Sequence, residues 1–204
     1  DMTPLRRGKG SEYEGGIRVP LIVHWPSKVA AGQVIDKPVH IIDLYPTFME
    51  IAVGDAGSHH LDGVSILPLM DGRGGFNRDA IYMHTPLYIP HYNKTPSSLI
   101  RNDDYKLIYF HGDYLQENEY RTVIPGERYE LYRINEDISE QKNLADAMPE
   151  KTVELKSKLH VWLEETGAQM PVVNPDFDPD NWQVRTSSRV DYQGNVIPRD
   201  VSEG

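Results

Sequence analysis

Residues 5–20 read LRRGKGSEYEGGIRVP and combine charged side chains with closely spaced glycines. Lys9 lies between Gly8 and Gly10, so no neighbouring side chain shields its ammonium group and a ligand can approach the backbone closely. Arg18 follows near the end of the stretch, and two such cations can donate to several oxygens of one small oxyanion. The residue types predict either an anion-binding loop or a solvated basic loop at a domain edge. The GxxxxGK[ST] pattern of a nucleotide-binding P-loop is absent.

The segments that follow this stretch predict the end of an α/β domain. Residues 19–25 are densely apolar, which is typical of a strand buried on both faces of a parallel sheet. Residues 39–53 carry apolar side chains at helical spacing, with Asp43 as the candidate N-cap and Pro46 in the first turn. Because one strand and one helix cannot form a sheet, the remaining strands are expected upstream of Asp1.

The composition changes after residue 78 to short aromatic-rich segments separated by turn signals. They predict an antiparallel sheet with a hairpin turn at residues 102–104 and strands over residues 80–84, 98–101, 105–110 and 129–134. A helix is predicted from Pro149 to about Thr166, because Gly167 follows it and one face carries Leu155, Leu159, Trp162 and Leu163.

The predicted organisation is an α/β (α+β) fragment in three parts. Residues 1–76 form the end of an α/β domain, with the basic loop, a strand and a helix. Residues 77–170 form the small antiparallel sheet packed with the C-terminal helix. Residues 171–204 are poor in apolar side chains and predict an extended tail.

Charge and composition exclude several classes of protein. The chain has 204 residues and a net charge of −10, and an acidic surface repels phosphate backbones, so nucleic acid is not an expected partner. A local cationic pocket can still bind a small anion against that net field. The absence of cysteine excludes disulfides and thiolate metal ligands, and no apolar run reaches the roughly 20 residues of a membrane span.

The ordered landmarks of the chain resemble type I, formylglycine-dependent sulfatases of the alkaline phosphatase superfamily. GKGS at residues 8–11 is followed by EGGIRVP at 14–20, and the resemblance continues in family order from about Pro4 to Pro175. The later landmarks are HIIDLYPT at 40–47, LDGVS at 61–65, IR at 100–101, YKLI at 105–108, ELY at 130–132 and NLA at 143–145.

The resemblance implies roles for five residues. Lys9 matches the lysine that contacts sulfate in the family, where it would neutralise charge on the sulfuryl oxygens as the ester bond breaks. His84 matches a histidine at the mouth of the cleft that could contact substrate or protonate the leaving oxygen. Arg18, His91 and His111 are further candidates for substrate binding. A purely structural alternative has Lys9 pairing with a nearby carboxylate such as Glu12 or Glu14.

Parts of the family's machinery are not in this sequence. Family members take their formylglycine nucleophile from a Cys/Ser-x-Pro-x-Arg string, which does not occur here. Their Ca²⁺ ligands are acidic pairs that precede the GKGS motif, and no cluster in this chain replaces the 6–8 oxygen ligands that calcium needs. No metal ligand or cofactor is therefore predicted in this chain, and both Ca²⁺ and formylglycine are expected in an N-terminal part of the catalytic domain.

Three functions remain open from the sequence. The first is the C-terminal portion of a sulfatase that hydrolyses sulfate esters of glycans or aryl groups, inactive alone and completed by the N-terminal part. The second is a non-catalytic module that binds a sulfated ligand, a partner chain or a second copy of itself. The third is a phosphatase or phosphonate hydrolase of the same superfamily. The resemblance also implies a periplasmic or secreted location, or a lysosomal one in a eukaryote.

Overall fold

The chain divides into two compact units, one of residues 1–18 with 82–204 and one of residues 19–81. The predicted division had instead grouped residues 1–18 with the segment up to residue 76. The computed structural model describes residues 2–54, 60–88, 94–112, 114–115, 123–124, 126–172 and 175–176, so most of the predicted tail lies outside the described residues.

The first unit is built on a four-stranded antiparallel sheet, as predicted. In spatial order its strands are β1 (Ile81–Thr85), β2 (Ser97–Asn102), β3 (Tyr105–Phe110) and β6 (Arg128–Arg133). The β2–β3 hairpin turns at Asp103, whose φ of 47° lies in the left-handed region that Asp tolerates. Two short strands that the sequence did not predict, β4 (Tyr114–Leu115) and β5 (Val123–Ile124), pair with each other.

The two faces of this sheet carry different partners, because successive side chains of a strand point to opposite sides. One face packs on Tyr13 through Leu99, Ile108, Phe110 and Tyr132. The opposite face packs on helix α4 (Pro149–Glu165), whose Leu155, Leu159 and Leu163 are buried. The predicted helix and its apolar stripe are confirmed, and Gly167 follows it at a φ of 59°.

The second unit contains a 3-10 turn (Ile41–Asp43) and helices α2 (Leu44–Val53) and α3 (Leu67–Met70). The helix predicted over residues 39–53 is present, but Asp43 does not cap it. Its buried carboxylate instead accepts hydrogen bonds from the backbone N–H groups of His40 (2.7 Å) and Val64 (3.0 Å) and pairs with Arg78. Asp43 therefore joins three separate segments of this unit.

The strand predicted over residues 19–25 does not form. These residues have no regular secondary structure, with Val19 78% and Ile22 88% exposed, and no described residue pairs with them as a strand. A strand needs a neighbour to accept and donate its backbone hydrogen bonds, and this unit supplies none. Helix α2 likewise leaves Phe48 and Val53 exposed, so the unit presents an apolar surface.

None of the helices in the described ranges combines the length and the apolar character that a bilayer span requires.

Candidate functional site: the Lys9 loop

The Lys9 loop, defined as residues 6–18, folds back on itself. The N–H of Ser11 donates to the carbonyl of Gly8 (3.1 Å), and the N–H of Gly15 donates to the carbonyl of Arg6 (3.0 Å). A Cβ atom at Gly15 would overlap the carbonyl oxygen of Arg6, and one at Gly16 would overlap that of Ser11. The two glycines of the EGG sequence therefore let the second half of the loop pack directly on the first, where α1 (Glu14–Ile17) begins.

Tyr13 anchors the loop to the sheet. Its ring is fully buried, and its hydroxyl donates to Glu130 Oε2 at 2.7 Å. The Arg6 guanidinium lies 3.8 Å from the centroid of that ring and donates to Tyr132 Oη and to the Glu140 carbonyl, both at 2.9 Å. Stacking and charge-assisted hydrogen bonds thus hold the base of the loop from both sides.

Two buried carboxylates follow Lys9 in the loop, and each is paired with a buried lysine. Lys94 Nζ donates to Glu12 Oε2 at 3.0 Å. Lys106 Nζ donates to Glu14 Oε1 at 3.1 Å and to Glu140 Oε1 at 2.8 Å. Burial raises the pKa of Glu140 above its ordinary value, because desolvation outweighs the opposing effect of the Lys106 ammonium.

Lys9 itself is exposed at the tip of the loop. Within the described part of the chain its ammonium has no hydrogen-bond or ion-pair partner. Glu12 and Glu14, the carboxylates of the structural alternative, are held by Lys94 and by Lys106 instead. The loop is therefore fixed at its base while its lysine points to solvent between two glycines, which suits an incoming anion.

Arg18 lies at the C-terminal end of α1. Its side chain is 51% exposed, and Nη1 is 3.4 Å from Glu14 Oε2. Arg18 thus belongs to the same loop as Lys9 but has part of its charge neutralised by a carboxylate.

His84 and His111 meet through a shared hydroxyl group. The Nε2 of His84 lies 2.9 Å from the carbonyl oxygen of Gln169, which can only accept, so in the neutral ring Nδ1 accepts from Ser98 Oγ at 2.7 Å. Ser98 Oγ in turn accepts from Nε2 of His111 at 2.8 Å. Both ring nitrogens of His84 are therefore engaged within the protein.

This histidine pair and the Lys9 loop lie on different faces of the sheet. Ser98 and His84 share the face that carries α4, whereas Tyr13 packs on the other face. The structure therefore brings His84 and His111 together but does not bring them to the base of the Lys9 loop. His91, the remaining candidate, lies outside the described residues.

Burial lowers the pKa of His111 to about 4, with smaller contributions from His84 and His160. The ring also has a structural reason to stay neutral. Its Nδ1 atom is buried with no hydrogen-bond partner among the described atoms, so a proton there would become an unsatisfied buried donor.

The depressed pKa makes stability depend on pH. Between its ordinary value of 6.5 and about 4, the unfolded state binds a proton that the folded state does not. This contribution to the free energy of unfolding is complete above pH 6.5 and is lost as the pH falls towards 4.

We expect the free energy of unfolding of His111→Gln to fall by about 1–2 kcal/mol less over this pH range than that of the unchanged protein, after allowance for solvent screening. Urea unfolding at pH 7 and pH 4.5 measures it, and an equal loss in both proteins would contradict it. The raised pKa of Glu140 changes stability with pH in the opposite direction, but Glu140 is present in both the unchanged protein and the His111→Gln variant, so its effect cancels in the comparison.

Sequence reasoning missed the buried charges under the loop, Lys94, Lys106, Glu130 and Glu140. The available signal was a charged residue at an inward position of an apolar strand, as in YKLIYF at residues 105–110 and RYELYR at 128–133. Such residues are almost never fully buried unless they are paired.

No group of three or more His, Cys, Asp or Glu side chains in the described ranges is arranged to hold a metal ion.

Residues 8–169 match the family described as N-sulphoglucosamine sulphohydrolase, C-terminal. The chain is 32% identical over 182 residues to a sulfatase of Formosa agariphila, which covers 81% of this chain and 30% of that protein. It is 30% identical over 159 residues to arylsulfatase A of Bos taurus, covering 72% of this chain and 30% of that protein.

Solved structures agree with these matches. The crystal structure of Ps i-CgsB in complex with k-i-k-neocarrahexaose superimposes with a TM-score of 0.60 at 28% identity, covering 78% of this chain and 32% of that one. Fold and ordered motifs together define the class of protein, a sulfatase, of which this is the C-terminal portion. The chain belongs to the sulfatase C-terminal family that its residues 8–169 match. It spans about a third of the length of these relatives.

Proposed function

We propose that this chain supplies the sulfate-contacting lysine and part of the substrate cleft of an enzyme that hydrolyses sulfate esters. The observation that carries the proposal is Lys9, an exposed ammonium between two glycines on a loop whose base is fixed by buried ion pairs. Membership of the sulfatase family supports sulfate as the anion. The phosphatase and phosphonate hydrolase alternatives have no comparable support.

Lys9 would act electrostatically. Sulfuryl transfer should share with phosphoryl transfer a loose transition state, in which charge spreads over the equatorial oxygens of the moving group. A donor that is already in place stabilises this charge without reorganising during the reaction. Arg18 would add positive potential near the same group, reduced by its pairing with Glu14.

The substrate class that we propose is a sulfated glycan or an aryl sulfate. The relatives include arylsulfatase A and an "ulvan-active sulfatase", and Ps i-CgsB was crystallised with an oligosaccharide. His84 and His111 remain predicted substrate contacts, although the described geometry gives both ring nitrogens of His84 protein partners. A His84→Gln enzyme with unchanged kcat/KM would remove His84 from the site. The periplasmic, secreted or lysosomal location is proposed on the same family basis.

The nucleophile and the Ca²⁺ ligands are proposed to lie in an N-terminal part that packs on the exposed apolar surface of residues 19–53. A non-catalytic module that captures a partner chain or a second copy of itself would present a similar surface. The two possibilities differ in what happens to activity when the N-terminal part is supplied.

The purified chain is therefore expected to show no aryl sulfate hydrolysis above buffer in the presence of Ca²⁺. Addition of the separately expressed N-terminal part, with its formylglycine formed, should restore turnover and co-elute with the chain in size-exclusion chromatography. Activity that follows the chain alone through purification would contradict the proposal. Co-elution without any turnover would favour the non-catalytic module.

A further inference from the structure

The structure points to Glu12 and Lys94 as positioning residues for Lys9, with the Glu12 carboxylate closing the loop on which Lys9 is displayed. This inference, which we propose from the geometry of the loop, rests on the proposed function, in which Lys9 contacts the sulfate group. Neither residue belongs to the motif that carries the resemblance to sulfatases. Both are charged and buried, at 1% and 7% exposure, Glu12 within the loop and Lys94 against it.

An ion pair joins the two ends of the segment that carries Lys9. Arg7 precedes Lys9 by two residues and Glu12 follows it by three. Arg7 Nη1 lies 4.0 Å from Glu12 Oε1, and both side chains are almost completely buried. Arg7 also has a φ of 57°, a left-handed conformation that costs energy for a residue with a Cβ atom. The backbone thus turns sharply at the point where the ion pair begins.

Lys94 connects this closed segment to the rigid part of the unit. Its Nζ donates to Glu12 Oε2 and to Ser97 Oγ, each at 3.0 Å, and Ser97 is the first residue of β2. A hydrogen bond to strand β2 therefore fixes the Lys94 side chain, and Lys94 in turn fixes the Glu12 carboxylate. Glu12 closes the loop through its ion pair with Arg7. Glu12 Oε1 accepts no hydrogen bond among the described atoms, and the Arg7 guanidinium at 4.0 Å is the positive charge that it faces.

The buried ion pairs of Glu12 can specify the conformation of the loop, whatever they contribute to stability. A buried ion pair often contributes little net stability relative to apolar side chains of similar size, but it can specify one conformation. The segment needs that specification, because Gly8 and Gly10 have more backbone freedom than any other residue type. Positioning a catalytic group matters steeply, since a misplacement of about 1 Å can cost about 100-fold in rate.

The test is a double-mutant cycle in the complete enzyme, with kcat and KM measured on an aryl sulfate. We expect Glu12→Gln and Lys94→Met each to lower kcat by about 10- to 100-fold with little change in KM, because Lys9 is misplaced. In the Lys9→Ala background the same changes should cost less than about threefold, since residues that act through one group are not additive. The double variant Glu12→Gln/Lys94→Met removes the Glu12–Lys94 pair as a unit and should behave like Glu12→Gln.

Leu159→Ala is the matched control, because it removes a fully buried side chain from the opposite face of the sheet. It should lower the melting temperature and change kcat/KM by the same factor in both backgrounds. Hydrogen exchange of peptide 6–18 adds a readout independent of turnover, and it should accelerate in Glu12→Gln but not in Leu159→Ala.

The outcomes separate the inference from the proposed function. A nearly fully active Lys9→Ala enzyme removes the sulfate contact, and with it the proposed function. A large Lys9→Ala effect with full additivity of Glu12→Gln, or unchanged hydrogen exchange in the loop, overturns the positioning role alone.

Discussion

Replacing Lys9 with alanine is expected to lower kcat/KM of the complete sulfatase by about 100- to 1,000-fold, the typical cost of removing one preorganised donor. The loss should fall mainly on kcat, because the ammonium stabilises charge that develops in the transition state. Stability should be nearly unchanged, since the side chain is exposed and has no hydrogen-bond or ion-pair partner among the described residues. Kinetics on an aryl sulfate, measured beside thermal unfolding, check both parts.

Lys9→Arg is the conservative companion to that variant. A planar guanidinium is longer and donates in a fixed fork, so it cannot reproduce the position of a compact ammonium, and rescue should be incomplete. If Lys9 served only in a surface ion pair, Lys9→Ala would cost at most about 1 kcal/mol of stability and retain near-normal turnover. A well-folded and nearly fully active variant would end the assignment of Lys9 to the sulfate.

Lys106→Met is expected to have the largest effect on stability, a loss of about 3–5 kcal/mol, because it leaves the buried Glu140 carboxylate without its cation. Lys106 is fully buried and bridges Glu14 of the Lys9 loop to Glu140, which lies after β6. Methionine keeps most of the volume, so the effect reports charge rather than a cavity. Equilibrium urea unfolding followed by tryptophan fluorescence measures it.

Lys151→Met is the matched control for this variant. Lys151 pairs with Glu154 at 2.6 Å on the exposed side of α4, where an ion pair contributes about 0.3–0.5 kcal/mol. Adding Glu140→Gln to Lys106→Met should recover part of the loss, since one buried charge is then removed with its partner. Equal effects of Lys106→Met and Lys151→Met would show that the buried cluster contributes no more than a surface pair.

Local patterns in the sequence were sufficient for most of the sheet and for its helix. Short aromatic-rich segments with turn signals between them predicted all four long strands, and the Leu155–Leu163 stripe predicted α4. These features depend on side-chain period and on turn chemistry, which act over a few residues. The family also followed from the sequence, because many short motifs occur in one order.

Contacts between distant segments were decided only by the tertiary structure. An apolar run at residues 19–25 predicted a strand, but a strand forms only where a neighbour supplies its hydrogen bonds. Asp43 was predicted to cap a helix, yet its carboxylate binds groups as far away in the sequence as Arg78, 35 positions later. No pattern in the sequence around Lys94 or Glu12 indicates that the two side chains form an ion pair.

The sequence by itself thus determined the four long strands and the helix of the sheet unit, the sulfatase family and the loop that presents Lys9. The tertiary structure decided which charges are buried beneath that loop and on which face of the sheet the histidines lie. The physical reason is that secondary structure reflects the period of neighbouring side chains, whereas a charge can be buried only when a partner from elsewhere in the chain compensates its desolvation.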